Sequence, residues 1–235
     1  MTEIYIQHIE RCLSNANKYE SKLSTDILRM DGMSGLKTRH FYNNMLSISD
    51  ARYLEIGTWK GSSVCSAMFE NNAKVTCIDN WSLFKGPKSE FIINLNKYKG
   101  TNQVEFIEQD CFTVDVATLQ KFNIYLYDGD HSVESQYKAL TYYINCLDDI
   151  FILMVDDWNW KNVRDGTHKA IKDLNLKVEY QKEIRLTRNN KHTPKYIARR
   201  SWWNGIYIAV LSKPASTIIT LTDLHNETSS LKTNE

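Results

Sequence analysis

Four short apolar runs in this chain carry an acid at or just inside their carboxyl end: Glu55 in YLEI, Asp79 after VTCI, Asp128 after IYLY, and the pair Asp156 and Asp157 after FILMV. At the carboxyl ends of parallel strands such acids converge on the crevice where open α/β sheets bind ligands. Like charges brought together cost free energy unless a cation or a set of hydrogen-bond donors sits among them. The placement predicts a site for something positive or rich in donors.

The first of these runs continues as Leu54-Glu55-Ile56-Gly57-Thr58-Trp59-Lys60-Gly61-Ser62-Ser63. Gly57 permits a tight turn after a strand, Gly61 lets a ligand approach a helix start, and Ser62 or Ser63 can cap that helix. Trp59 stands where a dinucleotide fingerprint wants glycine, which disfavours NAD. Asp79 follows Gly57 by about twenty residues, the position of a carboxylate that accepts the two ribose hydroxyls of a nucleoside. The stretch Glu108-Gln109-Asp110-Cys111-Phe112 offers a carboxylate and an aromatic face for an adenine ring. Asp110 is equally suited to capping a helix that carries Val114 and Leu119.

These residues need elements to position them. Residues 2–20 place Ile6, Ile9, Leu13 and Ala16 at helical spacing, and a glycine-broken stretch then feeds a second helix. From residue 51, apolar runs at 53–56, 75–78, 104–107, 124–127 and 151–155 alternate with amphipathic segments, the pattern of a doubly wound α/β sheet with buried parallel strands. Val133, Tyr137, Leu140, Ile144 and Leu147 recur every three or four residues behind Ser132, which can cap that helix, and residues 161–174 repeat the pattern. The runs 177–186 and 205–213, joined by a link too short for a covering helix, read as an antiparallel pair at the sheet edge. The expected organisation is a helical cap over 1–50, a core over 51–213 and a flexible tail over 214–235, rich in Ser, Thr and Asn.

With these motifs in hand, residues 30–212 resemble a class I S-adenosylmethionine-dependent methyltransferase. The resemblance rests on LEIGTWKGSS, CIDNW, QDCF, YDGDHS and VDDW, and the last two look like the metal-dependent macrocin O-methyltransferase type. It implies a Rossmann-like seven-stranded sheet with an antiparallel last strand. It also implies that Glu55 and Gly57, with Thr58, Gly61, Ser62 and Ser63, face the methionine portion of S-adenosylmethionine. Asp79 with Asn80 and Trp81 would serve the ribose, and Asp110, Cys111 and Phe112 the adenine. Asp128 falls beside the cofactor and, with Asp156 and Asp157, where the family holds a divalent metal. Oxygen donors favour Mg²⁺, with Mn²⁺ or Ca²⁺ as alternatives, over zinc. Asp130 falls at the proposed general base of the macrocin type, while His131 replaces the catalytic lysine of catechol-directed relatives, so either is a candidate base.

The implied function is methylation of a hydroxyl on a small molecule. Residues 182–200 hold Lys182, Arg185, Arg188, Lys191, Lys195, Arg199 and Arg200 against Glu183, which suits a sugar or metabolite bearing negative charge, or a merely solvated face. The loop from Asp31 to Gly35, with Lys37, Arg39 and His40, is placed to lie over the cofactor, and Trp81, Trp158 and Trp160 to wall the pocket or fill the core. N-methylation and cofactor binding without turnover stay open as alternatives. The chain has 29 Lys plus Arg against 28 Asp plus Glu, a balance that excludes a globally basic nucleic-acid binder. An Asn-Pro-Pro-Tyr type motif after the fourth strand, expected of amino-directed nucleic-acid enzymes, is absent, so nucleic acid is not the expected substrate. Five cysteines without a CxxC pair suit a reducing compartment. Without a signal-like opening or a membrane-length apolar run, the expectation is a cytoplasmic protein, free or as a homo-oligomer.

Overall fold

The apolar runs become a seven-stranded sheet in the order β3-β2-β1-β4-β5-β7-β6 in the computed structural model, which describes residues 1–83 and 86–214. The strands are β1 (Arg52–Ile56), β2 (Lys74–Ile78), β3 (Gln103–Ile107), β4 (Phe122–Tyr127), β5 (Leu147–Asp156), β6 (Lys177–Ile184) and β7 (Ile206–Ser212). Neighbours from β3 across to β5 are parallel, and β7 lies antiparallel between β5 and β6. The chain winds from β1 out to β3, then returns to lay β4 on the other side of β1. This reversal opens the crevice above the carboxyl ends of β1 and β4.

Each face of the sheet has its own apolar cluster. One face is covered by α1 (Thr2–Asn17), α3 (Leu36–Met45), α4 (Ser62–Met68) and α5 (Lys88–Tyr98), with the short α2 (Thr25–Leu28) alongside. The other is covered by α6 (Val133–Tyr143) and α7 (Lys161–Asp173). In α1 the buried residues Tyr5, His8, Ile9, Cys12, Leu13 and Ala16 repeat at three and four, so a single stripe docks on α3. Ser132 caps α6 as its position predicts, its Oγ accepting the Ser135 N–H at 3.1 Å.

Several expectations change. Neither Ser62 nor Ser63 caps α4; Gly61 does so in a left-handed conformation, and both serines lie inside the first turn. No helix follows Asp110, whose carboxylate instead closes a tight turn onto the Phe112 N–H at 2.8 Å. A one-turn 3-10 segment, Val116–Thr118, comes next, capped by Asp115. β3 is largely exposed because, among the described residues, it stands at the end of the strand order. The link from β6 to β7 carries a short helix, α8 (Lys195–Ala198). The tail lies outside the described residues beyond Pro214.

Gly166 sets the spacing of α6 and α7. A Cβ there would stand 2.4 Å from the Val133 carbonyl oxygen and 2.6 Å from the Gln136 Cβ. Overpacking of this kind costs about 1–3 kcal/mol, whereas alanine gains only about 1 kcal/mol of helix propensity over glycine. Gly166→Ala is therefore expected to lower Tm in thermal denaturation. An unchanged or higher Tm would show that the two helices separate freely.

Candidate active site

Alternation along the strands decides which acids meet. Tyr53, Ile124, Leu126, Ile152 and Met154 face the cluster under α1 and α3, so with a period of two Glu55, Asp128 and Asp156 face the same way. The ladder pairs Ile56 with Tyr127 and Tyr127 with Val155. One step further, Asp128 and Asp156 are neighbours across the rim, and the Asp128 N–H donates to the Ile56 carbonyl at 2.9 Å. Gly57 is required here: its φ is +85°, and a Cβ would come within 2.1 Å of the Asp128 carbonyl oxygen.

Asp157 breaks the alternation. Its φ of +57° turns the chain, and its Oδ2 lies 2.9 Å from the Nε2 of His131. Asp128, His131 and Asp157 bring one donor atom each within 4.8 Å of one another. Asp156 lies outside this trio, buried behind it. The Oδ1 atoms of both Asp156 and Asp157 are buried without a partner, an arrangement that a folded protein tolerates where a ligand completes it.

Burial governs the titration of these groups. It raises the Glu55 carboxyl from 4.5 to about 7, against the hydrogen bonds donated by the Ser63 and Tyr53 hydroxyls at 2.5 and 2.6 Å. Burial and the mutual repulsion of the acids push Asp128 and Asp156 well above the usual carboxylate range. For His131 burial acts downward, but the hydrogen bond and charge of Asp157, with the charge of Asp130, leave the imidazole above its ordinary value. Asp130 is held below its ordinary value, chiefly by hydrogen bonds from Ser132.

On the other side of β1, one carboxylate ties two loops together. Asp79 Oδ2 accepts the N–H groups of Thr58 and Trp59 at 2.9 and 2.8 Å, and Oδ1 accepts that of Trp81 at 2.7 Å. The Trp81 indole donates to the Trp59 carbonyl at 2.8 Å. The Ser62 and Ser34 hydroxyls are 3.0 Å apart, so the loop from Asp31 to Gly35 does rest on the start of α4. Arg39 and His40 turn inward instead of over the crevice, and Arg39 donates to Ser34 Oγ and to the Ile27, Leu28 and Met30 carbonyls.

Asn80 and Asp110 are exposed, and Cys111 and Phe112 are half-buried after β3. Burial, with the charges of Asp110 and then Asp79, pushes the Cys111 thiol up to about 12. Trp81 packs into Phe91 and Phe106. Trp158 is core, stacked on Tyr207 at 4.4 Å, because its ring drops to the α7 face. Trp160 meets His192 edge-on. Trp59, Trp81 and Asp157, the residues that turn the chain just after β1, β2 and β5, all hold positive φ, a strain that accumulates at functional rims. Tyr42 and Thr38 on α3, which nothing in the sequence pattern singles out, present buried hydroxyls without partners.

A reversing parallel sheet with an antiparallel β7, a glycine turn after β1 and an acid after β2 defines the class I, S-adenosylmethionine-dependent methyltransferase architecture. Residues 54–158 match the family described as Methyltransferase domain, and the chain carries such an enzyme domain. The fold is similar to that of an O-methyltransferase from Bacillus cereus solved with S-adenosylhomocysteine, at TM-score 0.54 and 11% identity over 88% of this chain and 91% of that one. It is also similar to an S-adenosylhomocysteine-bound methyltransferase from Podospora anserina, at TM-score 0.55 and 11% identity over 90% and 88%. An rRNA methylase from Streptococcus thermophilus shares the fold at TM-score 0.50 and 11% identity over 75% and 96%. No curated protein matches the sequence. Among the described residues no helix is long and apolar enough to cross a membrane.

The Glu55 carboxyl titrates higher when folded than its ordinary 4.5, so the folded chain binds that proton more tightly than the unfolded chain does. Its contribution to stability is present below pH 4.5 and is lost as pH rises towards about 7. Glu55→Gln removes the dependence. In urea denaturation of ligand-free protein, the stability of Glu55→Gln relative to the parent should rise by up to about 3 kcal/mol between acid and pH 8. A difference independent of pH would contradict the assignment.

Proposed function

We propose that the chain transfers the methyl group of S-adenosylmethionine to a hydroxyl of a small molecule, with a divalent ion at Asp128 and Asp157. The supporting observation is the meeting of Asp128, His131 and Asp157 beside the glycine turn, with a buried, unpartnered Asp157 oxygen among them. Two carboxylates with an orphaned oxygen fit a hard cation, Mg²⁺ by donor type, and His131 is the third group in reach. Such an ion supplies, when bound, positive charge that lowers the pKa of an acceptor hydroxyl.

The chain's own residues do the rest. Glu55 and the turn from Gly57 to Ser63 hold the methionine portion, Asp79 the ribose, and Asp110 to Phe112 the adenine. Transfer needs the acceptor oxygen in line with the methyl at about 3 Å, which a rim tied by Asp79 on one side can fix. His131 is the proton acceptor: its imidazole stands at the rim, Nε2 2.9 Å from Asp157 Oδ2, whereas the Asp130 carboxylate is tied into a turn by the Ser132 N–H at 3.0 Å.

Support for a negatively charged acceptor comes from the β6–β7 link. Asn159, two residues past Asp157, accepts the Leu186 and Thr187 N–H groups at 2.9 and 3.1 Å and donates to Thr193 Oγ1 at 3.0 Å. That side chain draws the basic segment to the β5 end of the crevice. Among the described residues none of its seven lysines and arginines forms an ion pair. The partly buried Arg164 also feels the charge of Arg185.

Methyl transfer to a panel of neutral and phosphorylated hydroxyl compounds, measured with Mg²⁺ and with EDTA, tests the proposal. Turnover should require the metal, and full activity in EDTA would remove that requirement. His131→Ala should lower kcat by about 10²–10⁴ with S-adenosylhomocysteine and Mn²⁺ affinities kept, while Asp130→Asn keeps most of kcat. Loss of Mn²⁺ affinity in His131→Ala would instead make the imidazole a ligand.

A further inference from the structure

Had β5 continued past Asp156, its alternation would have sent the Asp157 side chain to the α6 and α7 face behind Val155, and the Trp158 ring to the face of the acids. The left-handed conformation of Asp157, φ +57°, exchanges the two. Trp158 lies 0% exposed in the apolar cluster that holds Val155 and Val163, and Asp157 Oδ2 meets His131 Nε2 at 2.9 Å. Such a conformation is strained for an aspartate and persists only where its surroundings hold it. The ring that follows does the holding.

Val155, Tyr207 and Glu183 pair side by side across β5, β7 and β6, so their side chains share the α7 face. The Trp158 indole lies on this row, stacked on the Tyr207 ring with 4.4 Å between centroids and 16° between planes, and its Nε1 donates to Glu183 Oε2 at 3.0 Å. His168 of α7 closes edge-on, 5.3 Å from the Trp158 ring, with its Nε2 3.8 Å from the other Glu183 oxygen. The Trp158 carbonyl accepts from Arg164 at 2.8 Å, so backbone and ring are both tied. Stacking alone lets a ring slide over its neighbour, whereas a directed N–H bond to a carboxylate fixes its place.

We infer that Glu183 is a positioning residue: by holding the Trp158 indole it fixes the turn at Asp157, and with that turn the carboxylate that meets Asp128 and His131. Its role in ion binding rests on the reading of that trio as a site for a divalent ion. Glu183 itself stands exposed on β6, next to basic residues, and acts on the trio only through the indole.

Glu183→Leu takes the acceptor from a buried indole N–H, whereas Glu183→Gln keeps an accepting oxygen and removes only the charge. In titration calorimetry Mn²⁺ affinity should fall about ten-fold in Glu183→Leu and stay within about two-fold of the parent in Glu183→Gln, with S-adenosylhomocysteine affinity kept in both. Trp158→Phe removes the N–H itself and should weaken Mn²⁺ to a similar degree. Adding Glu183→Leu to Trp158→Phe should then change little, because the two residues act as one unit. Unchanged Mn²⁺ affinity in Glu183→Leu would overturn the inference, as would additive losses in the double variant. An equal loss in Glu183→Gln, the mark of a long-range charge effect, or a parallel loss of S-adenosylhomocysteine affinity, the mark of a loosened fold, would overturn it too. The ligand-free protein supplies a second readout, the His131 imidazole signal in NMR spectra of histidine-labelled chain, assigned with His131→Ala. That signal should move in Glu183→Leu and hold in Glu183→Gln. Failure of the parent protein to bind Mn²⁺ would strike at the divalent-ion reading, and the His131 signal would then decide the positioning role, an unmoved signal in Glu183→Leu refuting it.

Discussion

A parallel sheet cannot choose where its strand-end acids point. Once Tyr53, Ile124 and Ile152 face α1 and α3, the two-residue period puts Glu55, Asp128 and Asp156 on that same face, on three adjacent strands. Water is then largely excluded, and each negative charge raises the cost of the next. Burial and that repulsion displace all three carboxyls upward. The divalent ion proposed above would relieve that repulsion. Fold, protonation and ligand preference are thus one constraint seen at three levels.

Two short polar side chains make this rim rigid enough to use. Asp79 gathers the turns after β1 and β2, and Asn159 gathers the β6–β7 link beside the turn after β5. Arg164 braces the second of these by donating to the Trp158 and Asn159 carbonyls at 2.8 and 2.7 Å. Irregular backbone would otherwise carry unsatisfied groups, and each side chain closes several at once. Asp79 thereby does structural work in the ligand-free chain that its spacing from Gly57 does not reveal. Its Oδ1 accepts the Trp81 N–H and, as a carboxylate oxygen, can accept from a further donor.

Sheet class, the five parallel strands, the edge pair and the convergence of acids were legible because they follow from short-range periodicity. Local chemistry was less so. Asp110 and Ser62 look like helix caps in one dimension, yet the chain after Asp110 has too little apolar periodicity for a helix, and the left-handed Gly61 takes the cap position from the serines. The pair Asp156 and Asp157 reads as a unit, but the positive φ at Asp157 sends the two carboxylates apart. That turn brings His131 to Asp157 and leaves Asp156 buried. Tyr42 and Thr38 were illegible for a different reason: an aromatic and a threonine inside an amphipathic helix carry no mark until the helix is seen against the acids.

The two ends of the sheet resolve their charges in opposite ways. At the amino end Arg52 meets Asp148 through two hydrogen bonds at 3.0 and 2.7 Å, and Asn123 serves both the Arg52 N–H and the Asp50 carbonyl. Charge there is neutralised within the chain. Among the described residues the acids at the carboxyl end have no such partner arginine, and the buried side-chain polar atoms without partners belong, apart from Thr76 within β2, to Thr38, Tyr42, Trp59, Asp156, Asp157 and Trp160. A sequence able to pair its charges at one end of a sheet leaves them open at the other only at a cost in stability, a cost that the proposed ligand, by supplying donors and positive charge, would offset.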